Sequence, residues 1–199
     1  MRTKLSIGVV VAMTAALFAV LATTSGAGAQ PVKCKVGSIT WKITGKKTNR
    51  ITHAHGYQLP PGGSMSITKS ASKVATLTSS VKKSAGGSVN AGNVLVHAEA
   101  HFQVDLAKSG SRTTSSSIKV SSQIAKSRKD RYIAAWGGRK YFTGKWTKYS
   151  CDIPSVGYKP EARGTWHSYG PASDGLALCP AKRYHRGSLP YIACRQVWH

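Results

Sequence analysis

Carboxylates are scarce in this chain: Glu99, Asp105, Asp130, Asp152, Glu161 and Asp174 are the six it has. A glycosidase built on paired carboxylates has little to draw on, and a dication finds no acid-rich element. Gly-x-Ser-x-Gly and Cys-x-x-Cys are both missing, which removes the usual marks of a serine hydrolase, a zinc ribbon and a thioredoxin-like site. After the N-terminal segment no apolar run is long enough to span a bilayer as a helix. Aromatics almost vanish between Ser64 and Ala125, where 20 of 62 residues are Ser or Thr and Phe102 is the sole ring of the Phe/Trp/Tyr type. These absences lead to the expectation of a non-enzymatic protein without a cofactor.

What is present begins with a targeting segment. Arg2 and Lys4 precede an apolar core from Leu5 to Ala22, and Ala27-Gly28-Ala29 offers small residues to signal peptidase. Residues 1–29 are read as a signal peptide, with a secreted and soluble chain from Gln30. Removing Arg2 and Lys4 leaves 27 basic residues against six acidic ones, a formal +21. That excess favours an anionic membrane or cell-wall surface, an acidic polysaccharide or nucleic acid. An even number of cysteines in an exported chain argues for disulfides. Four cysteines allow three pairings; the preferred one has Cys34–Cys151 joining the ends of a β body and Cys179–Cys194 stapling a loop-rich tail.

The fold class expected is mainly β: an elongated antiparallel sheet of long amphipathic strands, plus a loop-rich C-terminal part. Residues 30–150 form the β body, with a Ser/Thr-rich sheet over 64–125 and one or two short strands with basic loops over 31–57. Residues 151–199, with Pro154, Pro160, Pro171, Pro180 and Pro190, form the loop-rich tail. Val94 to Leu106 organises this reading. Val94, Val96, Ala98, Ala100, Phe102, Val104 and Leu106 alternate with His97, Glu99, His101, Gln103 and Asp105, the period of a strand. A helical alternative rests on Leu95, Ala98, Phe102 and Leu106. Two further strands are expected, over about Lys73–Ser84 and about Arg112–Ala125, the latter with Ile118, Val120 and Ile124 on one face.

Strands with a thin apolar face and a Ser/Thr/Lys face suit the wall of a water-filled pore. Over about Ser64 to Lys148 the composition and alternation resemble the Ser/Thr-rich stalk of aerolysin-type β-pore-forming proteins. The resemblance implies an amphipathic hairpin, Lys73–Leu106 or Val94–Ala125, that inserts on oligomerisation. Its insertion residues would be Val94, Val96, Ala98, Ala100, Phe102, Val104, Leu106, Ile118, Val120 and Ile124. The signal segment and Ser/Thr/Lys-rich strands are also similar to those of secreted actinobacterial proteins, which implies a compartment and no activity.

Two other chemistries are written into the residues. On a strand, His97, Glu99 and His101 would share one face and could hold zinc or copper, the basis of a metal-dependent enzyme. The last third interleaves rings with bases: 12 of the 16 Phe, Trp and Tyr residues lie between Tyr132 and Trp198. Arg128, Lys129, Arg131, Arg139, Lys140, Lys145, Lys182, Arg183 and Arg186 are the candidates for meeting an anionic surface, whereas Trp146 and Trp166 are expected inside. The leading expectation is docking on an anionic cell surface or membrane, with pore formation and self-association as its extension. The alternative is binding of cell-wall or acidic polymer with no insertion.

Overall fold

Trp41 and Ile43 alternate with Lys42, Thr44 and Lys46, and that period continues into a single strand, β1 (Ile39–Leu59). The computed structural model describes residues 33–113 and 117–198, and the side chains of 65–70 and 117–123 lie outside that description. The signal peptide expected over 1–29 therefore falls outside the described residues. Two more long strands, β5 (Arg131–Ser150) and β6 (Lys159–Cys179), pair with β1 in the order β6-β5-β1. At about 3.3 Å per residue, strands of 20 and 21 residues reach roughly 70 Å. β3 (Ser80–Gly86) extends the sheet beyond β6; β2 (Met65–Lys73) and β4 (Ser117–Ile124) extend it beyond β1. Every pairing is antiparallel. The mainly-β class and both expected disulfides, Cys34–Cys151 and Cys179–Cys194, are found.

Several boundaries are corrected. The short strands with basic loops of 31–57 are one strand of 21 residues. The expected strand over Lys73–Ser84 is the end of β2, an extended connection and the start of β3. Within the tail, residues 159–179 are the long strand β6, paired with β5 from Ser150↔Lys159 to Tyr132↔Cys179. Prolines misled the reading because they sit where the ladder is irregular. Pro171 falls in the register shift opposite Arg139 and Tyr141, and Pro160 borders the shift at Lys148 and Tyr149.

The largest correction concerns Val94–Leu106. Residues 91–102 form a helix, α1 (Ala91–Phe102), and the chain beyond it is irregular. Asn90 caps its start, accepting from Gly92 N at 2.7 Å, and Gln103 ends it in the left-handed region at φ 51°. Leu95 breaks the alternation and is buried, whereas Val96 obeys it and is 60% exposed. Burial of Val94, Leu95 and Ala98 is a helical stripe. Neither proposed hairpin exists, because each includes this helix.

Register places α1 and the second helix, α2 (Leu189–Val197), on the same side of the sheet. At one end, Val94, Leu95, Ala98 and Leu106 pack on Ile43, Phe142, Trp146, Ala162 and Trp166. Glycine makes room for the two indoles: a Cβ on Gly164 would come to 2.8 Å from the Trp146 ring, and one on Gly45 to 3.2 Å from that of Trp166. At the other end α2 covers Ile51, Ala54, Ala134, Trp136 and Ala177, tied to β6 by Cys179–Cys194. The opposite side is covered near that second end, where Ile124 packs with Tyr57, Leu59, Ile133 and Ala135. Farther along that side, among the described residues, Lys42, Thr44, Lys46 and Thr48 are exposed.

Candidate anionic-surface interface

Residues paired across an antiparallel ladder share a side of the sheet. The pairs Lys42↔Thr147, Thr44↔Lys145, Lys46↔Thr143, Thr48↔Tyr141 and Arg50↔Arg139 therefore lie opposite the Trp146 side. β6 adds Arg163, Thr165, His167 and Tyr169, and β3 adds Lys82, in register with Thr165. Lys42, Thr44, Lys46, Thr48, Arg50, Lys82, Lys145, Arg163 and Thr165 are exposed, while Arg139, Tyr141, Thr143, Thr147 and His167 are half-buried. No Asp or Glu occurs in residues 42–50, 80–83, 139–147 or 163–169. The result is a Thr-lined face carrying cations on all four strands, with a shallow open trough of about 640 Å³ along Thr44, Lys46, Thr143, Lys145, Thr165 and His167.

Rings stiffen the centre of this face. The Arg50 guanidinium stands 5.9 Å from the Tyr141 ring centre, and Arg139 stands 5.0 Å from that of Tyr169. Arg139 also donates to Gly170 O at 3.0 Å. Tyr141 and His167 lie 5.9 Å apart. Burial pushes the Tyr141 hydroxyl pKa up, partly opposed by Arg50. Burial, then the Lys82 charge, hold the His167 pKa below its ordinary value. At His167 burial, more than the charge of the face, disfavours the protonated ring.

An anion beside Lys82 would offset the second and smaller cause of that lowering. Anion binding at constant salt should therefore tighten as pH falls from neutrality through the ordinary histidine range. His167→Gln should flatten that rise; an unchanged pH profile would remove His167 from the interface. The linked effect on folding has the opposite sign. A depressed histidine pKa supports the free fold above the ordinary value, and that support is lost as pH falls through the folded one.

Of the anionic-surface candidates expected from sequence, Arg139 and Lys145 belong to this face. Lys140 alternates to the helix-bearing side, in register with Asn49. Arg128 and Lys129 lie in the β4–β5 connection, and Arg131, the first residue of β5, donates to Ala125 O and Lys126 O at 3.0 and 3.2 Å. Lys182, Arg183 and Arg186 are exposed between β6 and α2. Lys42, Lys46, Arg50 and Lys82 were missed, although the alternation of Lys42, Thr44, Lys46, Thr48 and Arg50 with Trp41, Ile43 and Gly45 announces them.

Seven of the ten insertion candidates lie on α1 or just after it, whereas Ile118, Val120 and Ile124 lie on the strand β4 as expected. Val94, Ala98 and Leu106 are buried in the core under α1, with Phe102 and Val104 packed against it; Val96 and Ala100 are exposed. Ile124 is buried, and the side chains of Ile118 and Val120 lie outside the described residues. The expected metal set also fails to assemble. On a helix His97 and Glu99 diverge; His97 stacks on Trp41 at 5.1 Å, and Glu99 accepts from Leu106 N at 2.9 Å. Among the described residues no group of three or more His, Cys, Asp or Glu could hold a metal.

No family model matches this chain, and no characterised protein matches it in sequence. Among solved structures, the crystal structure of the parasporin-2 Bacillus thuringiensis toxin that recognizes cancer cells is similar over 73% of each chain, at 12% identity and a TM-score of 0.26. A likeness this distant fixes neither fold nor activity.

Proposed function

We propose that this is a secreted, non-enzymatic protein that docks on an anionic membrane surface through the open basic face. One observation carries the reading: Lys42, Lys46, Arg50, Arg139 and Lys145 stand on one open side of paired strands whose bearing segments hold no carboxylate. A sheet face presents its charges to a plane together, which suits lipid headgroups better than it suits a single small ligand. Each basic residue near an anionic bilayer contributes about 1 kcal/mol. Two disulfides fit an oxidising compartment.

Sedimentation with phosphatidylglycerol-containing and pure phosphatidylcholine vesicles tests the proposal. The protein should bind the first, ignore the second, and bind at least about tenfold more weakly as salt shortens the Debye length from about 10 Å to about 3 Å. Binding of acidic polymer without binding to vesicles would overturn the membrane reading in favour of the polymer alternative. Dye leakage in the same vesicles addresses insertion, the step implied by the resemblance to aerolysin-type proteins. A single feature favours that second reading: β2 and β4 pair from Met65↔Ile124 to Ser72↔Ser117, while β2 joins β1 only at His53↔Lys73 and Ala54↔Ser72. Parting that ladder from the sheet would also unseat Ile124 from Tyr57, Leu59, Ile133 and Ala135.

A further inference from the structure

Nine large apolar side chains are exposed among the described residues, and five of them fall at one end of the sheet. Val36 is 59% exposed, Ile39 53%, Ile153 49%, Val156 50% and Tyr158 37%. They belong to two segments, the lead into β1 with its first residue, and the β5–β6 connection. Cys34–Cys151 bridges these segments, and backbone bonds from Gly37 N to Cys151 O at 2.8 Å and from Cys151 N to Ser38 O at 3.0 Å join them again. Val156 N donates to Ile153 O at 3.1 Å, closing the turn that holds both side chains out. Ser38 Oγ meets the Tyr158 hydroxyl at 3.1 Å. The tip is cross-linked in a shape that keeps its apolar groups in water.

Isolated exposed apolar residues need no explanation, but a gathered set marks an interaction site. The surroundings indicate which kind. Lys33, Lys35 and Lys159 are exposed beside the tip, against Asp152 as the acid in the same connection. Lys42 of the basic face is three residues along β1 from Ile39. Aliphatic side chains with a tyrosine, rimmed by lysines, match the boundary between acyl chains and anionic headgroups. We infer that this disulfide-held tip, Val36, Ile39, Ile153, Val156 and Tyr158, dips into the acyl boundary of an anionic bilayer. The inference rests on the membrane-docking reading and adds to it a hydrophobic anchor at the end of the charged face.

The test compares the native chain with Ile153→Ser/Val156→Ser on phosphatidylglycerol monolayers and vesicles. Both substitutions are at exposed positions, so an unchanged thermal midpoint should accompany them. The native chain should raise the surface pressure of the monolayer and retain some vesicle binding at high salt. The variant should give no pressure rise and should lose high-salt binding on the order of 30-fold, with a loss of no more than a fewfold at low salt. Native protein that binds vesicles without raising pressure overturns the tip and leaves the face standing. Binding that ignores salt and lipid charge, yet disappears in the variant, overturns the face and leaves the tip standing. Self-association without lipid that the variant abolishes assigns the tip to a second copy, and overturns the inference.

Discussion

Replacing Lys42, Lys46 and Arg50 together with glutamine should weaken binding to anionic vesicles on the order of 100-fold at physiological salt. The three cations occupy every fourth position of β1, so they point to one side and stand about 13 Å apart. That spacing exceeds the Debye length of about 8 Å, so each acts nearly independently. At about 1 kcal/mol each, their loss is about 3 kcal/mol, and 1.4 kcal/mol corresponds to tenfold. All three are exposed, so stability should change little. Net charge alone would predict the same loss for any three cations. Lys47, Lys108 and Lys140 supply the control: Lys47 and Lys140 are on the helix-bearing side, and Lys108 follows α1. Their replacement by glutamine should cost less than tenfold. Equal losses from the two triple variants would sink the face as the docking surface.

Much of the fold was legible because alternation is a local property that burial on one side enforces. Trp41 and Ile43 against Lys42 and Thr44 is such a case, and Trp146 and Trp166 were rightly expected inside, at 1% and 2% exposed. The disulfides followed from an even cysteine count in a chain read as exported; Cys34–Cys151 ties the lead into β1 to the end of β5, and Cys179–Cys194 ties β6 to α2. Val94–Leu106 misled because two periods overlap in it. Only tertiary packing separated them, by burying Leu95 and leaving Val96 in water. The metal reading failed with it, since His97 and Glu99 share a side only on a strand. The basic face was half legible. Arg139 and Lys145 were named, yet the clusters of bases and rings in the last third drew attention from β1, whose cations are spread four residues apart. What sequence alone could not supply was the register, which sets Arg50 beside Tyr141 and brings Lys82 near His167.

Trp166→Ala should be the most damaging single substitution in the charged half of the molecule, costing about 3–5 kcal/mol. Its indole is 2% exposed and lies 5.7 Å from the Phe102 ring, so it joins α1 to the sheet. It also crosses from β6 to β1, where Nε1 donates to Thr44 O at 3.3 Å. Gly45 exists beneath it as space, since a Cβ there would come within 3.2 Å of the ring. Deletion leaves a cavity that Gly45, Gly144 and Gly164 have no side chains to fill. For a domain of this size about 2–4 °C accompany each kcal/mol, so the thermal midpoint should fall by about 6–20 °C. Val96→Ala, on the exposed flank of α1, should stay within about 0.5 kcal/mol. Were Val94–Leu106 a strand with its even residues inward, Val96→Ala would be costly as well. The pair therefore tests the helix along with the core. It also bears on function, because the same indole that supports α1 on one side fixes Thr44, and with it the spacing of Lys42 and Lys46, on the other. A Trp166→Ala protein that stayed folded at low temperature should bind anionic vesicles nearly as the native chain does, since the cations are untouched. A large loss there, with β-sheet circular dichroism intact, would mean that docking requires the face to be rigid as well as charged.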